Sequence, residues 1–130
     1  MIDGAAAGRI LHGHLNDCFE KEAALFTGDD DAIHEFRLAC KRLRFAIERF
    51  EVPQQQPLAK SLSQITDELG SAHDTVVLAK RARKLNAGVV AWRTLRDRSR
   101  YMKNARELWL RVAPALRRLS TADLDRFHNA

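Results

Sequence analysis

Between His34 and Phe50 the chain carries two sets of side chains that a helix sorts onto separate faces. Phe36, Ala39, Leu43, Ala46, Ile47 and Phe50 recur at helical spacing and gather on one side, the core-facing stripe of an amphipathic helix. His34, Arg37, Lys41 and Arg44 stand at i, i+3, i+7 and i+10 and fall within a sector of about 80°. The apolar stripe demands other helices to pack against. The basic stripe demands an anion, because four potentially cationic groups in one sector repel each other without one.

The other segments repeat the helical period. A first helix is predicted from Ala5 to Phe26, with Leu11, Leu15, Cys18, Phe19, Leu25 and Phe26 in its stripe. Glu22 lies inside that stripe, where it either snorkels out near the helix end or pairs with a cation of the Arg37 group. Thr27-Gly28 provides a stop, since glycine tolerates the left-handed backbone needed there. Asp29-Asp30-Asp31 reads as a cap and dipole-complementing first turn for the second helix, in preference to a metal site. That helix reaches Phe50 or Glu51 and is stopped by Pro53, with Gln54-Gln55-Gln56-Pro57 as a polar hinge.

A third helix is predicted from Leu58 to Asn86, with Leu58, Leu62, Ile65, Leu69, Ala72 and Val76 facing the core. Gly70 within it marks a bend or a close helix approach. The fourth runs from Val89 at least to Val112, and Pro114 either kinks it or opens a short helix ending at Leu119. Ser120-Thr121-Ala122-Asp123 reads as the cap of a final turn before a frayed Phe127–Ala130. The expected class is all-α: an antiparallel bundle of about four long helices over residues 1–119, then a C-terminal tail over 120–130.

The basic pattern occurs twice. Arg93, Arg96, Arg100 and Lys103 on the fourth helix repeat the spacing of the first basic stripe, and facing helices would line a groove with both sets. Glu48 and Glu107 extend the two stripes and compensate in part. Lys80, Arg81, Arg83 and Lys84 crowd the end of the third helix as a further patch. A net charge of +5 and a pI near 9.7 favour nucleic acid, phosphate polymers or a membrane surface as partners. The nine aromatic residues (six Phe, two Trp, one Tyr) read mostly as core and do not interleave with the cations, which disfavours nucleic-acid stacking. Guanidinium and ammonium groups alone suit phosphate oxygens.

Catalysis has little to work with. The chain has no P-loop and no acids spaced to hold Mg²⁺ beside the basic stripe. Cys18 and Cys40 lie on apolar stripes as small buried thiols. No cofactor, metal or enzymatic activity is expected. The alternatives are an enzyme using His34 as phosphoryl acceptor, and an adaptor for RNA or an acidic protein. The start, Met1-Ile2-Asp3-Gly4-Ala5, lacks a signal peptide's basic start and apolar run, so a cytoplasmic address is expected.

His34-x-x-Arg37-x-x-x-Lys41-Arg42-Leu43-Arg44 resembles the signature helix of the CHAD family, the conserved histidine α-helical domains. Leu69-Gly70-Ser71-Ala72-His73-Asp74-Thr75-Val76-Val77 resembles that family's second motif, with His73 where the family usually has Arg and Val76 where it has Asp. The resemblance implies a helical domain that binds inorganic polyphosphate through a basic channel without catalysis. Carried over, the anion contacts are His34, Arg37, Lys41, Arg42 and Arg44, although the helical wheel sets Arg42 well off the stripe. His73 replaces an arginine only when protonated, and Asp74 would orient a nearby arginine. The family's domain typically holds two four-helix bundles and this chain has helices for about one. Leu38 and Phe45, at i and i+7 on a separate face, would then mark a homodimer interface. A membrane is not an expected partner.

Overall fold

The end of one helix and the start of the next are fixed by two adjacent residues. Gly28 takes φ 78°, a left-handed conformation that ends the preceding turn, and Asp29 caps the helix that follows. The Asp29 carboxylate accepts from the backbone N–H of Asp31 (3.0 Å) and Ala32 (3.4 Å), and Asp30 and Asp31 place negative charge in the first turn. The computed structural model describes residues 4–50 and 55–122. Its helices are α1 (Gly4–Lys21), α2 (Ala24–Thr27), α3 (Asp30–Arg49), α4 (Gln56–Lys84) and α5 (Gly88–Ala122). The class is all-α, with no strand among the described residues.

The four long helices form a ring in which α1 packs on α3, α3 on α4, α4 on α5, and α5 back on α1. Trp109 of α5 sits at its centre, 1% exposed, with Phe36 edge-on at 5.0 Å between ring centroids and Phe19 tilted at 5.8 Å. Leu11, Leu15, Leu43, Ile47, Leu62, Ile65 and Leu69 complete the buried layer, as their helical spacing predicts, and Leu116 joins them from α5.

The first helix departs from expectation. It breaks at Glu22-Ala23, and α2 is a separate single turn. The break brings the Glu22 carboxylate to Trp109, whose Nε1–H donates to it at 2.9 Å, and to Arg117 at 3.0 Å. Glu22 therefore pairs with a cation of α5 and not with the Arg37 group. The change of phase also turns Phe26 outward, 58% exposed, while Leu25 stays buried.

The remaining boundaries lie close to those predicted. α3 ends at Arg49 with the Phe50 N–H still bonded to the Ala46 carbonyl (3.0 Å). Pro53, the predicted stop, lies outside the described residues. α4 begins at Gln56, with Pro57 in its first turn, where a missing N–H costs nothing. Asn86, at φ 56°, provides the left-handed turn into α5. α5 passes Pro114 unbroken and continues through Ser120 to Ala122, so no new helix opens at the proline and no cap forms at Ser120. The carbonyl that Pro114 cannot bond belongs to Leu110, which is 60% exposed and open to water. The predicted frayed segment Phe127–Ala130 lies outside the described residues.

Two helices outrun their partners. His34 stands beside His73, with 6.3 Å between ring centroids, and α3 begins only one turn before His34. α4 continues from His73 to Lys84, so its last turns reach roughly 10 Å beyond the start of α3 at 1.5 Å per residue. The first turns of α5 pack against that overhang, where Ala79, Ala82, Ala91 and Thr94 are buried. The result is a two-helix spur at one end of a four-helix ring.

Candidate anion-binding site

Arg37 is the centre of the site because α4 leaves room for it. Gly70 lies opposite, and a Cβ there would stand 3.1 Å from Arg37 Nη2 and 3.4 Å from Nε. The sequence left open a bend or a close approach at this glycine, and the structure shows the close approach. Across the gap Arg37 Nε donates to the backbone carbonyl of Thr66 at 2.9 Å. Two turns further along α3, Arg44 Nη1 donates to Ser63 Oγ at 3.1 Å, and its guanidinium lies 4.7 Å from the Phe45 ring centroid. Two residues of the basic stripe are thus held against α4 at set positions.

Beside Arg37 is a cavity of about 150 Å³ between the start of α3, the middle of α4 and the third and fourth turns of α5. His34 and His73 line its mouth, Ile33, Leu69 and Met102 its floor, and Arg98 reaches in from α5. Arg98 Nη2 donates to Asp30 Oδ1 (2.8 Å) and to the Gly28 carbonyl (3.3 Å), with 22% of its side chain exposed. Two guanidinium groups, each fixed by a carbonyl or a carboxylate, and two imidazoles therefore converge on one cavity. Such a set donates hydrogen bonds to an oxyanion from several directions.

The sequence-predicted residues divide. His34, Arg37, His73 and Asp74 come together at the cavity, with Lys41 half-buried and Arg44 further along the α3–α4 seam. Asp74 forms no ion pair among the described residues, and the acid that holds an arginine here is Asp30. Arg42 lies away from the cavity, beside α1, with Nη1 3.9 Å from Asp17 Oδ2. Lys80 sits two turns beyond His73 on the spur.

The second basic stripe does not face the first. In the ring α3 contacts α1 and α4, so α5 lies diagonal to it and the groove walls are α3 and α4. Arg93, Arg96, Arg100 and Lys103 are exposed on α5. Arg96 lies over Trp92 (5.3 Å), and Arg100 lies over Tyr101 (5.2 Å) with Asp97 at 3.7 Å. Equal register on the second and fourth helices gives equal rotation about each axis, not adjacency.

Sequence reasoning missed Arg98. Its signal was position: with Ala91, Thr94 and Ala105 it shares the inward face of α5, where an arginine needs a partner. The two cysteines stay out of the chemistry. The hydrogen bond that the protonated Cys40 thiol makes to Cys18, then burial, pushes the Cys40 thiol up, which keeps it protonated and poorly nucleophilic. Among the described residues no three His, Cys, Asp or Glu side chains converge as a metal site.

Gly70→Ala tests the close approach. Alanine gains up to about 1 kcal/mol in helix propensity, but its Cβ crowds the Arg37 guanidinium, which must shift by a few tenths of an ångström against its hydrogen bond to the Thr66 carbonyl. The expected result is a melting temperature within a few degrees of the parent and an oxyanion affinity lower by about tenfold, or about 1.4 kcal/mol. Calorimetric titration with a phosphate polymer beside a thermal melt reads both.

A family model described as the CHAD domain matches residues 9–129, nearly the whole chain. Comparison with curated proteins and with solved structures returns no match.

Proposed function

The chain belongs to the CHAD domain family, and from that premise we propose that it binds inorganic polyphosphate along the α3–α4 groove and holds it without cleaving it. The observation that carries this reading is the convergence of Arg37, Arg98, His34 and His73 on one cavity, with both arginines already anchored. A polyphosphate chain presents oxyanions at short, regular intervals and has no base to read. The groove offers donors in series, and the residues described as lining its cavity include no Phe, Tyr or Trp.

The test is competition. Retention on immobilised polyphosphate is expected to persist when short single-stranded RNA is added at equal phosphate concentration. Displacement by RNA would leave only a general polyanion surface. Incubation with Mg²⁺ is expected to release no inorganic phosphate, and release would move the reading to an enzyme.

A His34→Gln, His73→Gln double variant is expected to hold immobilised polyphosphate more weakly than the parent at the same pH and salt, because both imidazoles line the cavity beside Arg37 and Arg98. Equal retention by that variant would place the contacts elsewhere on the surface.

A further inference from the structure

We propose that the α4–α5 spur docks on the surface of an anionic lipid bilayer, its apolar tip seated among the headgroups and its basic collar on their phosphates. The proposal is independent of the polyphosphate reading and departs from the expectation that no membrane is bound.

From Thr75 to Arg96 the sequence contains no acidic residue and six cations: Lys80, Arg81, Arg83, Lys84, Arg93 and Arg96. All six are exposed. Large apolar side chains are exposed on the same spur, Leu85 at 79%, Val89 at 69% and Trp92 at 62%, with Leu78 and Val90 nearly half exposed. The turn between the helices, Leu85 to Ala87, closes the end of the spur that extends beyond the start of α3. Leu85 and Val89 thus stand at the protruding end, with Leu78, Val90, Trp92 and the cations interleaved along roughly two turns of each helix next to it.

The arrangement around the spur selects the occupant. Val90 and Trp92 are about 200° apart on α5, so they point to opposite sides of that helix. A protein partner covers one side of a two-helix ridge, whereas a lipid interface surrounds a tip inserted into it. A second copy of this chain would bring two sets of six cations together. A nucleic-acid strand would find Trp92 to stack on but would leave the leucines and valines in water. Anionic headgroups meet the cations and the acyl boundary meets the apolar residues. No helix among the described residues is long and apolar enough to cross a membrane, so the contact is with the surface.

Vesicles of phosphatidylcholine with about one-third phosphatidylserine, against phosphatidylcholine alone, are the probe. Trp92 reports directly, since it is exposed while Trp109 is buried in the core. The expected result is flotation with the anionic vesicles only, weakening with salt, and a blue shift of tryptophan emission that Trp92→Phe removes. Leu85→Ser with Val89→Ser, both exposed and away from the core, should lower partitioning by about tenfold or more with helicity unchanged. Arg37→Glu should float as the parent does, and the double serine variant should keep its polyphosphate affinity, so each reading can fail alone. Absence of flotation overturns the proposal. So does equal flotation of the double serine variant, or a dimer in sedimentation that this variant dissolves.

Discussion

Arg37→Glu is expected to abolish retention on immobilised polyphosphate, with an affinity loss of about 100-fold, or about 2.7 kcal/mol, while helicity is kept. Arg93→Glu changes the net charge by the same amount and is the matched control. Arg93 is exposed in the first turns of α5 and does not line the cavity at Arg37, so its reversal should cost only a few-fold. If the two reversals weaken binding equally, total charge governs the interaction and the cavity at Arg37 has no special part in it. Titrations at several salt concentrations sharpen the comparison. Loss of one phosphate contact lowers the slope of log affinity against log salt by about 0.7 to 0.9. Arg37→Lys separates charge from shape: it keeps the cation but lacks the planar fork that reaches the Thr66 carbonyl and still presents donors to the ligand.

Trp109→Ala should have the largest effect on stability, a loss of about 3–5 kcal/mol in chemical denaturation. Trp109 is 1% exposed, meets Phe36 and Phe19 by their rings, and closes the first helix's break through Glu22. Against a typical domain stability of about 5–15 kcal/mol, that loss leaves a protein partly unfolded at physiological temperature. Trp109→Phe separates the contributions. It keeps most of the ring volume and removes the indole N–H, so its cost should be about 1–2 kcal/mol, with Glu22 still paired to Arg117. A mild phenotype for the alanine variant would mean that the centre of the ring repacks, contrary to its close-packed arrangement.

What could be read from sequence alone was local. The Gly28 stop, the Asp29 cap and the core stripe of α3 each depend on residues within a turn or two, and each stands as predicted. Gly70 was recognisable as a point needing a reason, a bend or a close approach, because a glycine in a helix interior is otherwise destabilising, and only the structure decides for the close approach. Long-range pairings were not legible. Glu22 meets Trp109 and Arg117 on the last helix, and that partnership outweighs the helical continuation that local periodicity favoured. Arg98 and Asp30 lie on different helices, and neither signals the other. The groove's second wall was misjudged for a geometric reason, since a ring of four helices sets the second and fourth diagonally and the second and third side by side.

Arg37 also bears on how a ligand is chosen. A free arginine side chain samples many rotamers, and ordering it removes about 2 kcal/mol of conformational entropy. Here the Thr66 carbonyl and the bare face of Gly70 have already stopped that rotor. A bound oxyanion therefore meets donors whose positions are fixed beforehand, and little of the interaction is lost to ordering them. Fixed donors discriminate by the spacing of the groups they meet, whereas mobile surface lysines respond chiefly to the amount of charge nearby. If the groove holds a polymer as proposed, it would act as a ruler for that polymer's repeat, because its two anchored arginines keep their positions while the ligand is being fitted.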